Sequence, residues 1–433
     1  MANEKIITFN DDGGWCWFQD KRTLMTEHHL IIGSFDSGNK DKNRQGNIEL
    51  TSYDLKAHKI DRFILHHENE IHKKIDWCDD HCAPALLVCE DNHILTAYSK
   101  HHKDNKIYFR RSKKPLSGSS FYDEEVIAPS LNSLVTYNNL FLINENGRNS
   151  IYNFFRGLDD SFMPSLIASE DDGLTWTISR QLINSDQNAR HRPYIKFSTH
   201  NINTIHFAYT NGHPRDYDNN IYHGFYRDGK LWTSSGNEIN SLLSGLSKVD
   251  DGTIVFKGNS DNVAWISDIQ VSENGFPSIV FSVQKDGAGM PRGQGGFDHR
   301  YYYAYFDGSK WVCNEIAFAG HRLYSGEDDY TGLISIDPSD LKTVYLSANV
   351  DPKSGELLIN KKQENRYEIF KGTTVNYTEW LWEPVTQNSF LDNIRPMVCC
   401  SEKRDKAVLW LRGKMKTFKD YEFEIVGFIQ DSI

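Results

Sequence analysis

His81-Cys-Ala-Pro-Ala-Leu-Leu-Val-Cys89, followed closely by Ile94-Leu-Thr-Ala-Tyr-Ser-Lys-His-His102, decides the fold. A polar residue opens one short apolar strand, a turn of Asp91 and Asn92 follows, and a second strand ends in a polar cluster. The same two-part unit recurs along the chain. It runs from Trp15–Asp20 to His29–Asp36, from Tyr137 to Arg156, from Tyr194 to His213, from Asp268 to Asp286, from Tyr330 to Asp351, and from Arg395 to Arg412. With the opening pair this makes seven copies, whose openings fall roughly 55 to 75 residues apart. Apolar residues at helical spacing are almost absent, whereas β-rich runs broken by DG, NG, DN and SG turns are everywhere. The expected fold is all-β, a seven-bladed β-propeller occupying residues 1–433 as one domain.

Composition narrows the partners. Aromatic residues are 13% of the 433, ample for packing sheet on sheet, and the net charge of −11 argues against binding a phosphate backbone. Nucleic acid is therefore not expected as a partner. Seven cysteines, with Cys399 and Cys400 adjacent, do not read as a disulfide framework. No apolar run approaches the roughly 18 residues that span a bilayer, and the opening MANEKIITFNDDGGW lacks the pattern of a signal peptide. A monomer away from membranes is expected, secreted or periplasmic if an export signal has been removed and cytoplasmic otherwise.

In a propeller the inner strands and their loops converge on one face, so the polar clusters at the ends of the repeats are expected to form the site. Asp36, Asp286 and Asp351 are equally well explained as turn residues, but turn chemistry does not call for His, Tyr or Arg. A separate marker is Ser169-Glu-Asp-Asp-Gly-Leu-Thr-Trp176, which matches the Asp-box pattern of hairpin turns in sialidase-like propellers. It is a structural signature: Asp171 and Gly173 shape the turn and Trp176 packs between sheets. Gly372–Trp382 reads as a degraded second copy.

The phrases DDGGWCWFQD, GNIELTSYDL, DDHCAPALLV, YNFFRG, GHPRDYDNNIYHG, AWISDI, FSVQKD, GEDDYTGL and NIRP, in this order, resemble the BNR-repeat propeller family, which includes ulvan lyase-type polysaccharide lyases. The resemblance covers residues 10 to 430. It implies a catalytic set of two histidines, a tyrosine and an arginine, matched here by His81, His101, Tyr137 and Arg156, with Tyr194 and Arg215 as a rival tyrosine–arginine pair. His102, beside His101, competes for the inward-facing position, since successive strand residues face opposite ways. Tyr194, His213, Arg215, Arg395 and Arg412 are expected to bind substrate.

These residue types suit β-elimination from a uronide. The proton beside the carboxylate becomes acidic only when the carboxylate charge is neutralised, which the planar guanidinium of Arg156 does bidentately, with His101 sharing the role. His81 and Tyr137 are then assigned to proton transfer. The chemistry needs no cofactor. A structural metal stays open: His299, Cys313 and His321 are competent zinc ligands, but a hairpin around Asp307–Lys310 pairs Cys313 near Ala304, too far from His299 at about 3.3 Å per residue.

The expected function is thus cleavage of a uronic-acid-containing, ulvan-like polysaccharide by a lyase. Two alternatives compete. A glycoside hydrolase of the rhamnosidase type has Asp268, Glu327 and Asp328 as candidate carboxylates, without diagnostic spacing; a non-catalytic glycan-binding propeller needs no base. The segments His213–Gly224 and Lys285–His299 are the expected specificity loops.

Overall fold

The computed structural model describes residues 5–430 apart from 68–78, 102, 146, 159–161, 185–191, 202, 288–289, 291–292 and 404. His102 lies outside the described residues. Among them are seven antiparallel sheets, six of four strands and one of six, and three short 3-10 turns. This is a seven-bladed β-propeller. No helix of the described residues is long and apolar enough to cross a membrane.

Blade 1 is built from Thr23–Met25, His29–Phe35, Ile48–Asp54 and Ile60–His66. Blade 2 has Ala85–Val88, Ile94–Tyr98, Ile107–Arg111 and Glu125–Ile127, and blade 3 has Thr136–Glu145, Arg148–Arg156, Pro164–Ser169 and Thr177–Gln181. Blade 4 opens with Ile195–Asn201 and Thr204–Thr210, blade 5 with Val263–Val271 and Pro277–Gln284, and blade 6 with Ile334–Ile336 and Thr343–Ala348. The seventh sheet runs Ile7–Asn10, Asp420–Gln430, Lys406–Thr417, Asp392–Cys400, so the first strand of the chain pairs with the last, Ile7 opposite Gly427.

The chain packs as two compact units. One comprises Met1–Leu182, Cys399–Leu409 and Lys414–Ile433; the other comprises Ile183–Val398 and Trp410–Gly413. In the first, the alternating inward residues of blade 2, Ala85, Leu95, Ala97 and Phe109, pack on Leu140, Ile151 and Phe155 of blade 3. In the second, Val280, Tyr301 and Tyr303 of blade 5 meet Ile334, Val344 and Leu346 of blade 6.

The seven repeat units correspond to the first two strands of the seven blades, with one displacement. Trp15–Asp20 was expected to open a strand, but blade 1 begins at Thr23. The segment is instead a turn tied by a side chain: Gln19 accepts from the Cys16 N–H at 3.1 Å and donates to the carbonyls of His81 and Ala83, each at 2.9 Å. Both Asp-box readings fall on hairpins joining third and fourth strands. Ser169 Oγ accepts from Gly173 N, and Asp171 accepts from Thr175 N at 2.8 Å and from Thr175 Oγ1. The weaker copy keeps this logic, Thr374 Oγ1 accepting from Asn376 N and Tyr377 N before strand Trp380–Pro384. Trp176 stacks on Phe109 at 4.5 Å. Trp176→Ala is expected to cost about 2 kcal/mol, less than a fully buried Trp, measured as a lower denaturation midpoint with unchanged ligand binding.

Candidate active site

The four residues of the expected catalytic set lie in the first unit, where both histidines meet one carboxylate that sequence reasoning missed and Tyr137 and Arg156 stand beside them. Asp79 is 1% exposed and caps the 3-10 turn Asp80–Cys82, accepting from the His81 N–H. Its Oδ1 lies 2.6 Å from His81 Nδ1 and its Oδ2 lies 2.8 Å from His101 Nδ1. The two imidazoles stack with centroids 4.0 Å apart and planes 14° from parallel. An ionised carboxylate only accepts, so each Nδ1 carries a proton and each Nε2 is the nitrogen left for chemistry. Nε2 acts as a base when its ring is neutral and as an acid when it is charged.

Charge separates the two rings. Asp80 Oδ1 also approaches His81 Nδ1, at 2.9 Å. Burial works against an imidazolium, but electrostatic interactions with Cys16, Tyr137 and Asp79 and the Asp79 hydrogen bond push His81 well above the usual histidine value. Burial would likewise raise Asp79, yet the His81 and His101 imidazoles hold its carboxyl well below the usual range. Two cations at this stacking distance would repel strongly in a buried site. The arrangement therefore favours one imidazolium, His81, over one neutral ring.

Tyr137 and Arg156 reach the imidazoles through a backbone irregularity. Thr136 pairs with Arg156, but the next pair is Asn139 with Phe154, so Tyr137 and Asn138 bulge from the strand. Tyr137 takes φ +60°, costly for a bulky residue. Buried side chains secure the bulge. Arg22 donates to Asn138 O at 2.8 Å and Asn139 Oδ1 at 3.0 Å, while Asn139 Nδ2 donates to Tyr137 O at 2.9 Å. The Tyr137 ring stands 5.5 Å from His81 and 6.4 Å from His101, with the Arg156 guanidinium carbon 5.2 Å from its centroid. Phe18 packs its edge on Tyr137 at 5.8 Å and Phe418 does the same on His81 at 5.3 Å, giving the polar set an apolar surround.

The expected substrate-binding residues belong to the second unit. Tyr194 meets His213 edge-on at 5.6 Å, and His213 packs on Trp265 at 4.8 Å. Arg215 Nε donates to His213 Nδ1 at 3.1 Å and its Nη1 to Glu327 at 3.2 Å. Arg215, Tyr217, Glu327 and Asp328 line a cavity of about 270 Å³. The rival pair Tyr194 and Arg215 is thus joined through His213, and the Arg215 charge already faces a carboxylate. Arg395 is buried at φ +56° on the first strand of blade 7, and Arg412 is half-buried on the second.

The candidate hydrolase carboxylates have other work. Asp268 Oδ2 accepts from Ser335 Oγ and Ile336 N, tying the inner strands of blades 5 and 6. Asp328 holds the Gly-rich segment, accepting from Gly293 N at 2.7 Å and from Arg322 at 2.6 Å. As for metals, Ala304 does pair with Cys313, and His299 with Gly320. Among the described residues, donor atoms within 4.8 Å of one another occur in Cys16, Asp80 and His81 and in Asp79, His81 and His101. The 2.6 Å between Asp79 and His81 is the spacing of a shared proton. Tetrahedral ligands at about 2.0–2.1 Å from a metal stand farther apart than this.

A family profile described as BNR repeat-containing family member matches residues 34–319, more than half of the chain. The chain belongs to that family. No curated protein matches this BNR-repeat chain. Among solved structures it is similar to an ulvan lyase of a new polysaccharide lyase family, PL25, bound to -[GlcA(1-4)Rha3S]-, with TM-score 0.67 and 13% identity over 97% of this chain and 95% of that one. A second structure described as a PL25 ulvan lyase gives the same figures. An arabinofuranosidase from Fusarium graminearum follows at TM-score 0.44 and 11% identity, over 79% of this chain and 91% of that one. At these identities the likeness is one of fold.

Proposed function

We propose that this BNR-repeat propeller is a polysaccharide lyase that cleaves a uronic-acid-containing, ulvan-like glycan by β-elimination. The observation that supports it most is the buried Asp79 carboxylate holding both His81 and His101 through Nδ1, beside Tyr137 and Arg156. Arg156 receives the uronate carboxylate through its planar fork and lowers the cost of charge building on it in the transition state. Tyr137 releases its phenol proton to water, and the phenolate, facing the Arg156 guanidinium and the His81 imidazolium, takes the proton beside the carboxylate. The electron pair of that C–H bond becomes the new C=C bond, the glycosidic C–O bond breaks, and His81 Nε2 gives its proton to the departing oxygen. The products are an unsaturated uronate and a free hydroxyl, and the reaction as written draws only on side chains and water.

Incubation with ulvan and a panel of other uronides, followed at the absorbance of the unsaturated uronate, tests the reading. Growth of that band supports it; saturated reducing ends would turn it to hydrolysis, and tight binding without products to a lectin. Arg156→Lys keeps the charge and loses the planar fork, so KM for the polymer is expected to rise about tenfold, read in initial rates across substrate concentration.

A further inference from the structure

The sixth blade carries a second cavity, of about 310 Å³, that none of the residues assigned to chemistry lines. Its floor is apolar, formed by Phe370 of strand Glu368–Thr374 and by Trp382 and Pro384 of strand Trp380–Pro384. The indole lies close on the sheet because residue 372 is glycine: a Cβ there would stand 2.2 Å from a ring carbon of Trp382. The rim is polar, with Asp351, Arg366 and Asn388.

Buried groups hold the two rim segments in place. Asn360 accepts from Lys362 N and Glu364 N and donates to Ser389 O at 2.9 Å. Glu368 accepts from Thr386 Oγ1 at 2.5 Å, from Ser389 N at 2.7 Å and from Ser389 Oγ at 2.7 Å. The anchors therefore spend their capacity inside the protein, and recognition falls to the rim. Arg366 pairs with Glu364 at 3.0 Å and leaves a quarter of its side chain exposed at the rim. A partly exposed guanidinium beside a preformed cavity is placed to meet a ligand oxygen.

A flat apolar floor edged by carboxylate, amide and guanidinium suits a small ring with one C–H face and a border of hydroxyls. That is the chemistry of a pyranose, and the fixed rim removes much of the ordering cost of binding one. We propose that this cavity is a second carbohydrate-binding site, which takes one pyranose ring of a glycan chain through its hydroxyls and tethers the polymer without touching the bond that is cleaved.

Native gels cast with ulvan, or separately with neutral glucans and mannans, test the site in a His81→Ala background that digests the polymer far more slowly. Adding Arg366→Gln and Asn388→Ala is expected to weaken retardation by the retained polymer about tenfold, the loss of one charged hydrogen bond. Equal retardation of the two proteins would overturn the proposal, as would a parent that no polymer retards. Placed in the protein with intact His81, the same two substitutions leave the initial rate on short oligosaccharides unchanged; an equal loss there would assign them to the cleavage site and sink the proposal. Retardation that depends on Arg366 and Asn388, with no unsaturated product from any uronide, would keep this site and remove the lyase reading.

Discussion

His81→Ala is expected to lower the rate of unsaturated product formation by about 10²- to 10⁴-fold, the usual worth of a positioned acid or base. The substitution removes the imidazolium that protonates the departing oxygen. It also frees Asp79 Oδ1, which held that ring at 2.6 Å, and takes away the stacking partner of His101. The Asp80–Cys82 turn survives, because Asp79 caps it through the backbone N–H of residue 81 and Gln19 binds the backbone carbonyl of the same residue. Circular dichroism should therefore be unchanged while turnover is lost. A variant that stays within a few-fold of the parent on the preferred uronide would show that His81 moves no proton in the reaction.

How much of this was legible in the sequence depends on the range over which each feature is encoded. The paired inner strands of each blade are local, consecutive and apolar, so their repeat could be read in sequence alone. The outer strands are more exposed, as in Ile60–His66 and Glu125–Ile127, and their weaker apolar pattern hides them. His81 and His101 stood out because two imidazoles at matching ends of neighbouring strands serve no turn. Asp79 did not, since an Asp before a short turn reads as a cap, and here it is a cap as well as the partner of both rings. The bulge at Tyr137 and Asn138 breaks no visible pattern, yet it sets the tyrosine beside the imidazoles. Phe418 comes from the hairpin of the last blade, and nothing near it in sequence ties it to His81. Trp15–Asp20 misled because its aromatics imitate a strand while Gln19 folds the segment into a turn.

Asp79→Asn is the sharper test of how the site is poised, because it keeps the shape of the side chain and removes the shared anion. In the parent, Asp79 is held below its ordinary value, so its pairing stabilises the fold above about pH 3.9, the unfolded carboxyl, and is lost as pH falls through the lower folded value. His81 is raised, so its contribution is complete below about pH 6.5, the unfolded imidazole, and is lost as pH climbs through the higher folded value. The pair therefore contributes most between those two values, and there Asp79→Asn is expected to destabilise the protein by about 3 kcal/mol. Activity reports the same charge differently. Without the Asp79 anion the His81 imidazolium keeps, among the described residues, Asp80 at 2.9 Å as its carboxylate partner at Nδ1, so it gives up its proton at lower pH. The alkaline limb of the rate profile should move toward neutrality, with kcat down by about 10²-fold or more. A role for Asp79 confined to capping the turn would lower stability while leaving that limb where it was, and this result would separate the carboxylate from the chemistry.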